Sequence, residues 1–182
     1  MRVSVFGGTH TRPGEKDYDE AVRLGRLLGE RGCTVITGGY IGVMEAVSRG
    51  AAEAGAHVIG VTCDEIERFR PGKPNAWVKE EQRFPDLVQR LNALIEGCDV
   101  AIALPGGVGT LAEIMTTWNR ILIGSITPRP LILAGDGWRQ VVQSFFEGQG
   151  EYVAARDQKW VQFASSIEQA VDLASPPVGR PE

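Results

Sequence analysis

Apolar residues in this chain follow two alternating spacings. Largely apolar runs of four or five positions, at 3–6, 34–37, 58–62, 100–104 and 130–134, have the length of strands buried on both faces of a sheet. Between them, at 18–31, 43–54, 86–97, 110–123 and 138–147, apolar residues recur every three or four positions, as in a helix that buries one face. A shorter strand at 160–164 and a helix at 167–173 close the series. Strand and helix in alternation predict an α/β fold, a Rossmann-like, doubly wound parallel sheet with helices on both faces. One domain is expected over 1–174, and the proline-rich ending "SPPVGRPE", 175–182, reads as a flexible tail. The segment 63–83 mixes prolines with Arg68, Arg70 and Lys73, and is read as a solvated connection rather than a cover over a site.

In open parallel sheets ligands bind beyond the carboxyl ends of the strands, and glycine turns stand at three of those ends. The most informative is "IALPGGVGTLAEI" at 102–114. Leu111, Met115, Trp118 and Leu122 after it recur at helical spacing, so Gly106, Gly107 and Gly109 fall between a strand and a helix. With Thr110 following, they leave the unpaired N–H groups of the helix start free of side-chain bulk, which makes an anion site. Positions 110–113 also fit a capping box, in which Glu113 would only reach back to the helix start.

"FGGTHTRPGE", with Gly7 and Gly8, and "TGGYIGVMEAV", with Gly38, Gly39 and Gly42, repeat the design, leaving room for a mononucleotide to lie flat. The first turn lacks the G-x-G-x-x-G spacing of dinucleotide binding, which disfavours NAD. "RPGKPN" lacks the glycine and hydroxyl residues of a triphosphate-binding loop, and Pro74 removes an N–H such a loop needs.

Composition narrows the partner. The chain has 182 residues, 43% hydrophobic, and a formal net charge of −4. No cluster of lysine and arginine forms a basic face, so neither nucleic acid nor a membrane surface is expected, and a small molecule is. Cys33, Cys63 and Cys98 are odd in number and lie in apolar surroundings, as reduced core thiols do, which points to the cytoplasm. The strand pattern begins at Arg2, leaving no room for a signal peptide. His10 and His57 are the only histidines, too few for a dedicated zinc site or a histidine triad.

Two charged residues are placed for chemistry. Arg90 lies at the edge of the stripe Leu87, Leu91, Leu94 and Ile95, where a partly buried guanidinium needs a carboxylate or phosphate, unless it snorkels to water. Glu113 lies off the stripe Leu111, Met115 and Trp118, facing solvent, a cleft or another subunit.

These residues also carry a resemblance. "PGGVGTLAE", 105–113, resembles the P-G-G-x-G-T-x-x-E signature of the LONELY GUY family of phosphoribohydrolases, whose members often bear the label "possible lysine decarboxylase". Arg90, fifteen residues before Pro105, matches the family's arginine in the preceding helix; Gly38, Gly39, Gly42 and Met44 match its second motif, and Gly8 and Thr9 its first turn. Thr37, Glu45 and Leu91 depart from the family pattern, and "GGYIGVMEAV" is more similar to a bacterial branch that includes molybdenum-cofactor carrier-like proteins. Lys16, Lys73, Lys79 and Lys159 are the only lysines, none in a strand-end context suited to a pyridoxal Schiff base, so decarboxylation finds no support.

The resemblance implies hydrolysis of the N-glycosidic bond of a nucleoside 5′-monophosphate of AMP or cytokinin-riboside type. The site residues it implies are Gly8, Thr9, Gly39, Gly42, Gly106, Gly107, Gly109 and Thr110 for binding, with Arg90 and Glu113 as the catalytic pair, Arg90 keeping Glu113 ionised and aimed or assisting the departing base. It needs no metal and no cofactor. The alternative is a carrier that binds a nucleotide or the molybdenum cofactor without turnover. The resemblance further implies a homodimer, or a multiple of one, with the cleft near the two-fold interface.

Overall fold

A computed structural model describes residues 1–174; the expected tail at 175–182 lies outside the described residues. Among these residues seven parallel strands form one sheet in the order β4-β3-β2-β1-β5-β6-β7. They are β1 (Arg2–Phe6), β2 (Thr34–Thr37), β3 (Val58–Cys63), β4 (Glu80–Phe84), β5 (Val100–Ala103), β6 (Leu131–Ala134) and β7 (Val161–Ala164). The helices are α1 (Lys16–Glu30), α2 (Val43–Glu53), α3 (Asp64–Phe69), α4 (Leu87–Glu96), α5 (Val108–Leu122), α6 (Asp136–Gln149), α7 (Ala155–Gln158) and α8 (Ile167–Ala174). This is the Rossmann-like fold that the alternation predicts. Leu24, Val47 and Val171 of α1, α2 and α8 pack in one core; Leu94, Trp118 and Val142 of α4, α5 and α6 pack in the other.

β1 pairs with β2 on one side and β5 on the other, Val3 standing opposite both Val35 and Val100. The chain reverses its winding between these two pairings, so the switch point at which such sheets bind ligands lies between the ends of β1 and β5. The turns after both strands are glycine turns, and the Gly8 N–H donates to the Pro105 carbonyl at 3.0 Å across that point.

The segment 63–83 departs most from expectation. It is no loose connection: it carries α3 and then β4, which pairs in parallel with β3 from Ile59 opposite Glu80 to Cys63 opposite Phe84. "EEQRF" hides its strand because it is an edge strand, bonded on one side and half open to water, and so lacks the apolar run of its neighbours. Asn75 clasps the stretch between them to the turn after β2, its N–H and Nδ2 donating to the Gly39 carbonyl at 2.8 and 3.0 Å.

Candidate active site at the switch point

The three turns are laced together before any ligand is considered. Gly42 caps α2 at φ +74°, a conformation that favours glycine, and an added Cβ there would lie 2.6 Å from the Gly8 carbonyl oxygen and from the Thr9 Cα. That contact lets the Val43 N–H reach the Gly8 carbonyl at 2.9 Å. Gly106 backs onto the turn after β1, its missing Cβ only 2.9 Å from the Gly8 nitrogen. Gly107 and Gly109, by contrast, face open space. The glycines thus divide: Gly39, Gly42 and Gly106 build the wall from behind, while Gly8, Gly107 and Gly109 line a cavity of about 280 Å³ together with Thr9, Thr110, Arg90 and Glu113. A cavity near the lower end of the usual range for small-molecule sites suits one compact ligand.

Helix α5 starts two residues earlier than expected, with Gly107 as its cap and no side-chain cap bond. The capping box over 110–113 therefore does not form, and Glu113 is released from that structural duty. Thr110 is buried, and the first amides of α5 open onto the cavity, presenting unpaired donors and the positive end of the helix dipole.

The buried face of α5 is Thr110, Ile114, Thr117, Trp118 and Ile121, while Leu122 of the expected stripe is 39% exposed. The true stripe is turned by about 100°, one residue's rotation, from the one Leu111 and Met115 suggest. Glu113 consequently borders the buried face and looks into the cleft, one of the three orientations left open. Burial pushes its carboxyl up to about 7, with the nearby Arg90 pulling the other way.

Arg90 is 6% exposed, so it does not snorkel. Among the described residues it finds no carboxylate either. Its Nε donates to the Val61 carbonyl at 2.8 Å and its Nη2 to the Gly38 carbonyl at 3.1 Å, tying the ends of β3 and β2 together. The guanidinium stands 5.7 Å from the centre of the Tyr40 ring. A Cβ on Gly38 would collide with the guanidinium, which is the packing reason for glycine there. The expectation that Arg90 holds Glu113 ionised is corrected: no ion pair joins them, and burial outweighs the attraction between them.

His10, Tyr40, Met44, Ile66 and Arg70 also line the cavity. Met44 belongs to the second motif, and Tyr40 is the one aromatic residue in its glycine turn. Its buried hydroxyl, with a pKa raised by desolvation, accepts from the Cys63 N–H at 3.0 Å and lies 3.3 Å from the Glu67 carboxylate. Sequence reasoning misses Ile66 on α3 and Arg70 just after it because it reads the segment 63–83 as a solvated connection, whereas that segment lines the site.

Among the described residues no three His, Cys, Asp or Glu side chains cluster as metal ligands would, and Cys33, Cys63 and Cys98 are buried free thiols. No helix among them is long and apolar enough to cross a membrane.

Sheet and cleft together define a Rossmann-like α/β protein with a glycine-walled cavity at its switch point. The chain belongs to the SLOG cluster4 family, whose profile matches residues 1–158. The cytokinin riboside 5′-monophosphate phosphoribohydrolase LOG of Oryza sativa subsp. japonica is 34% identical over 151 residues, covering 80% of this chain and 60% of the rice protein. The Arabidopsis thaliana enzyme LOG3 is 33% identical over 151 residues, covering 80% and 67%. The chain thus spans 60% of the length of the rice relative. The solved molybdenum cofactor binding protein from the phototrophic bacterium Rippkaea orientalis superposes with a TM-score of 0.72 at 27% identity, over 94% of this chain and 93% of that one.

Proposed function

We propose that this protein hydrolyses the N-glycosidic bond of a nucleoside 5′-monophosphate, giving the free base and ribose 5-phosphate. The observation that carries the reading is that the open amides at the start of α5 and the Glu113 carboxyl, one turn further along the same helix, share one cavity. The phosphate takes the α5 N-terminus, with Gly107, Gly109 and Thr110 around it, and this anchor fixes where C1′ of the ribose lies. Water attacks C1′ as the bond to the base nitrogen breaks, the electron pair leaving with the base. Glu113 takes the proton of that water, and its negative charge stabilises the cationic, oxocarbenium-like sugar. A carboxyl pushed up to about 7 exchanges protons near neutral pH, where a general base is most effective. Arg90 supplies a fixed positive charge that lowers the cost of ionising Glu113 in its buried place without overcoming it. The names of the rice and Arabidopsis relatives support the same chemistry.

A homodimer with the cleft near its two-fold axis belongs to this proposal. Val108 at the mouth of the cavity is 85% exposed and Ile123, just past the far end of α5, is 68% exposed, apolar surface that a second copy would cover. The second reading, a carrier without turnover, draws on the match to the Rippkaea orientalis protein. Incubating the chain with a panel of nucleoside monophosphates and following released base separates the two: release supports the hydrolase, and tight binding without release supports the carrier.

A further inference from the structure

Arg70 is a guanidinium at the cavity with no hydrogen bond or ion pair from its side chain among the described residues. The reason lies in how α3 is held. Its three acids are already engaged elsewhere: Arg83 binds Asp64 at 2.6 Å and Glu67 at 2.7 Å, and Glu65 accepts from the Leu87 N–H at 2.8 Å. The Tyr40 hydroxyl fixes the start of the helix through the Cys63 N–H. Ile66 on α3 and Arg70, just past its end, both line the cavity while the acids of the helix are held away from it.

Strand order says which end of a ligand Arg70 meets. β5, β1, β2 and β3 are adjacent, and the lining runs in the same sequence: Thr110 after β5, Thr9 after β1, Tyr40 after β2, and Ile66 with Arg70 after β3. Three strand spacings, about 14 Å in all, separate the element carrying Arg70 from the α5 turn. A nucleotide with its phosphate on α5 therefore directs its base towards Arg70.

A guanidinium offers donors and no acceptor. Among the described side chains that line the cavity after β2 and β3 none offers a free acceptor, since Ile66 and Met44 are apolar and the Tyr40 hydroxyl and the neighbouring Glu67 are engaged; His10 stands in the turn after β1, nearer the phosphate end. Adenine presents an amino donor beside N7, whereas a 6-oxopurine presents two acceptors, O6 and N7, the pair an arginine binds in bidentate fashion. We propose that Arg70 is the specificity-determining residue of this cleft and selects 6-oxopurine monophosphates, GMP and IMP, over AMP. This deepens the nucleotide reading and rests on it.

Calorimetric titration of the full chain and of Arg70→Ala and Arg70→Lys with GMP, IMP and AMP, with base release followed in parallel, tests it. GMP and IMP are expected to bind the unaltered protein about tenfold or more tightly than AMP. Arg70→Ala is expected to erase that preference by weakening GMP and IMP about tenfold more than AMP, which loses only a single bond to N7, and Arg70→Lys, which offers no planar fork, to restore little of it. Arg70 is exposed and unpaired, so both variants fold, which their melting temperatures check. Equal affinities in the unaltered protein, or an equal loss for all three ligands in Arg70→Ala, overturn the proposal; the second would place Arg70 on the phosphate. Base preference without base release leaves it standing while the hydrolase reading falls, and no binding of any monophosphate removes both.

Discussion

Arg90 and Glu113 line the same cavity without forming an ion pair: the arginine spends hydrogen bonds on the carbonyls of Val61 and Gly38, and the glutamate stays raised to about 7. The positive charge therefore acts on the carboxyl at a distance, while the guanidinium itself holds two strand ends. One side chain joins the architecture of the cleft to its electrostatics.

Removing that side chain tests both parts. Arg90→Ala leaves two buried carbonyls without their donor, each a loss of about 1–3 kcal/mol, so chemical denaturation should show a clear drop in stability. Arg90→Lys keeps the charge but cannot fork to both carbonyls, and should fall between the two. An Arg90→Ala protein as stable as the parent would sink the tie between β2 and β3.

Glu113 makes stability depend on pH in a direction opposite to that of a salt-bridged acid. Its folded pKa is raised above the usual value of 4.5, so between about 4.5 and 7 the folded state binds the proton more tightly than the unfolded chain. The group thus favours folding at the acid end of that window and costs stability as pH rises through 7. Glu113→Gln, which cannot ionise, should melt higher than the parent at pH 8, by a difference on the order of 1–3 kcal/mol, and the gap should close towards pH 4.5. Parallel melting curves across the window would refute a raised pKa.

Turnover of the same variant follows from its proposed role. Glu113→Gln keeps the shape but removes the base and the charge, so base release should fall by about a hundredfold or more. In the parent the rate should climb through an apparent pKa near 7 on the acid side. A variant that keeps its rate would leave Glu113 with no chemical task.

The α5 N-terminus predicts a preference for the charged ligand. AMP should bind while adenosine binds much more weakly, because a neutral nucleoside gains nothing from the helix dipole or the open amides at Gly107 and Gly109. Titration of both ligands reads this directly, and equal affinities would remove the anchor.

The alternation of apolar runs and amphipathic helices determined the α/β class, and the glycine turns at Gly8, Gly39 and Gly107 marked the ends of the strands that converge. Both signals are local: strand burial and tight turns impose their residue types within a few positions of one another. β4 escaped because an edge strand is free to be charged, and the stripe on α5 was displaced because partly buried Leu111 and Met115 mimic a core face on a helix whose deepest residues include two threonines. What the tertiary structure alone decided is the chemistry. Arg90 meets carbonyls 29 and 52 positions away, Glu113 owes its raised pKa to desolvation by surrounding elements, and Arg70 enters the cavity because residues on β4 and α4 hold the acids beside it. Such contacts and burial arise when distant segments pack together, and no spacing along the chain encodes which charge will be left without a partner.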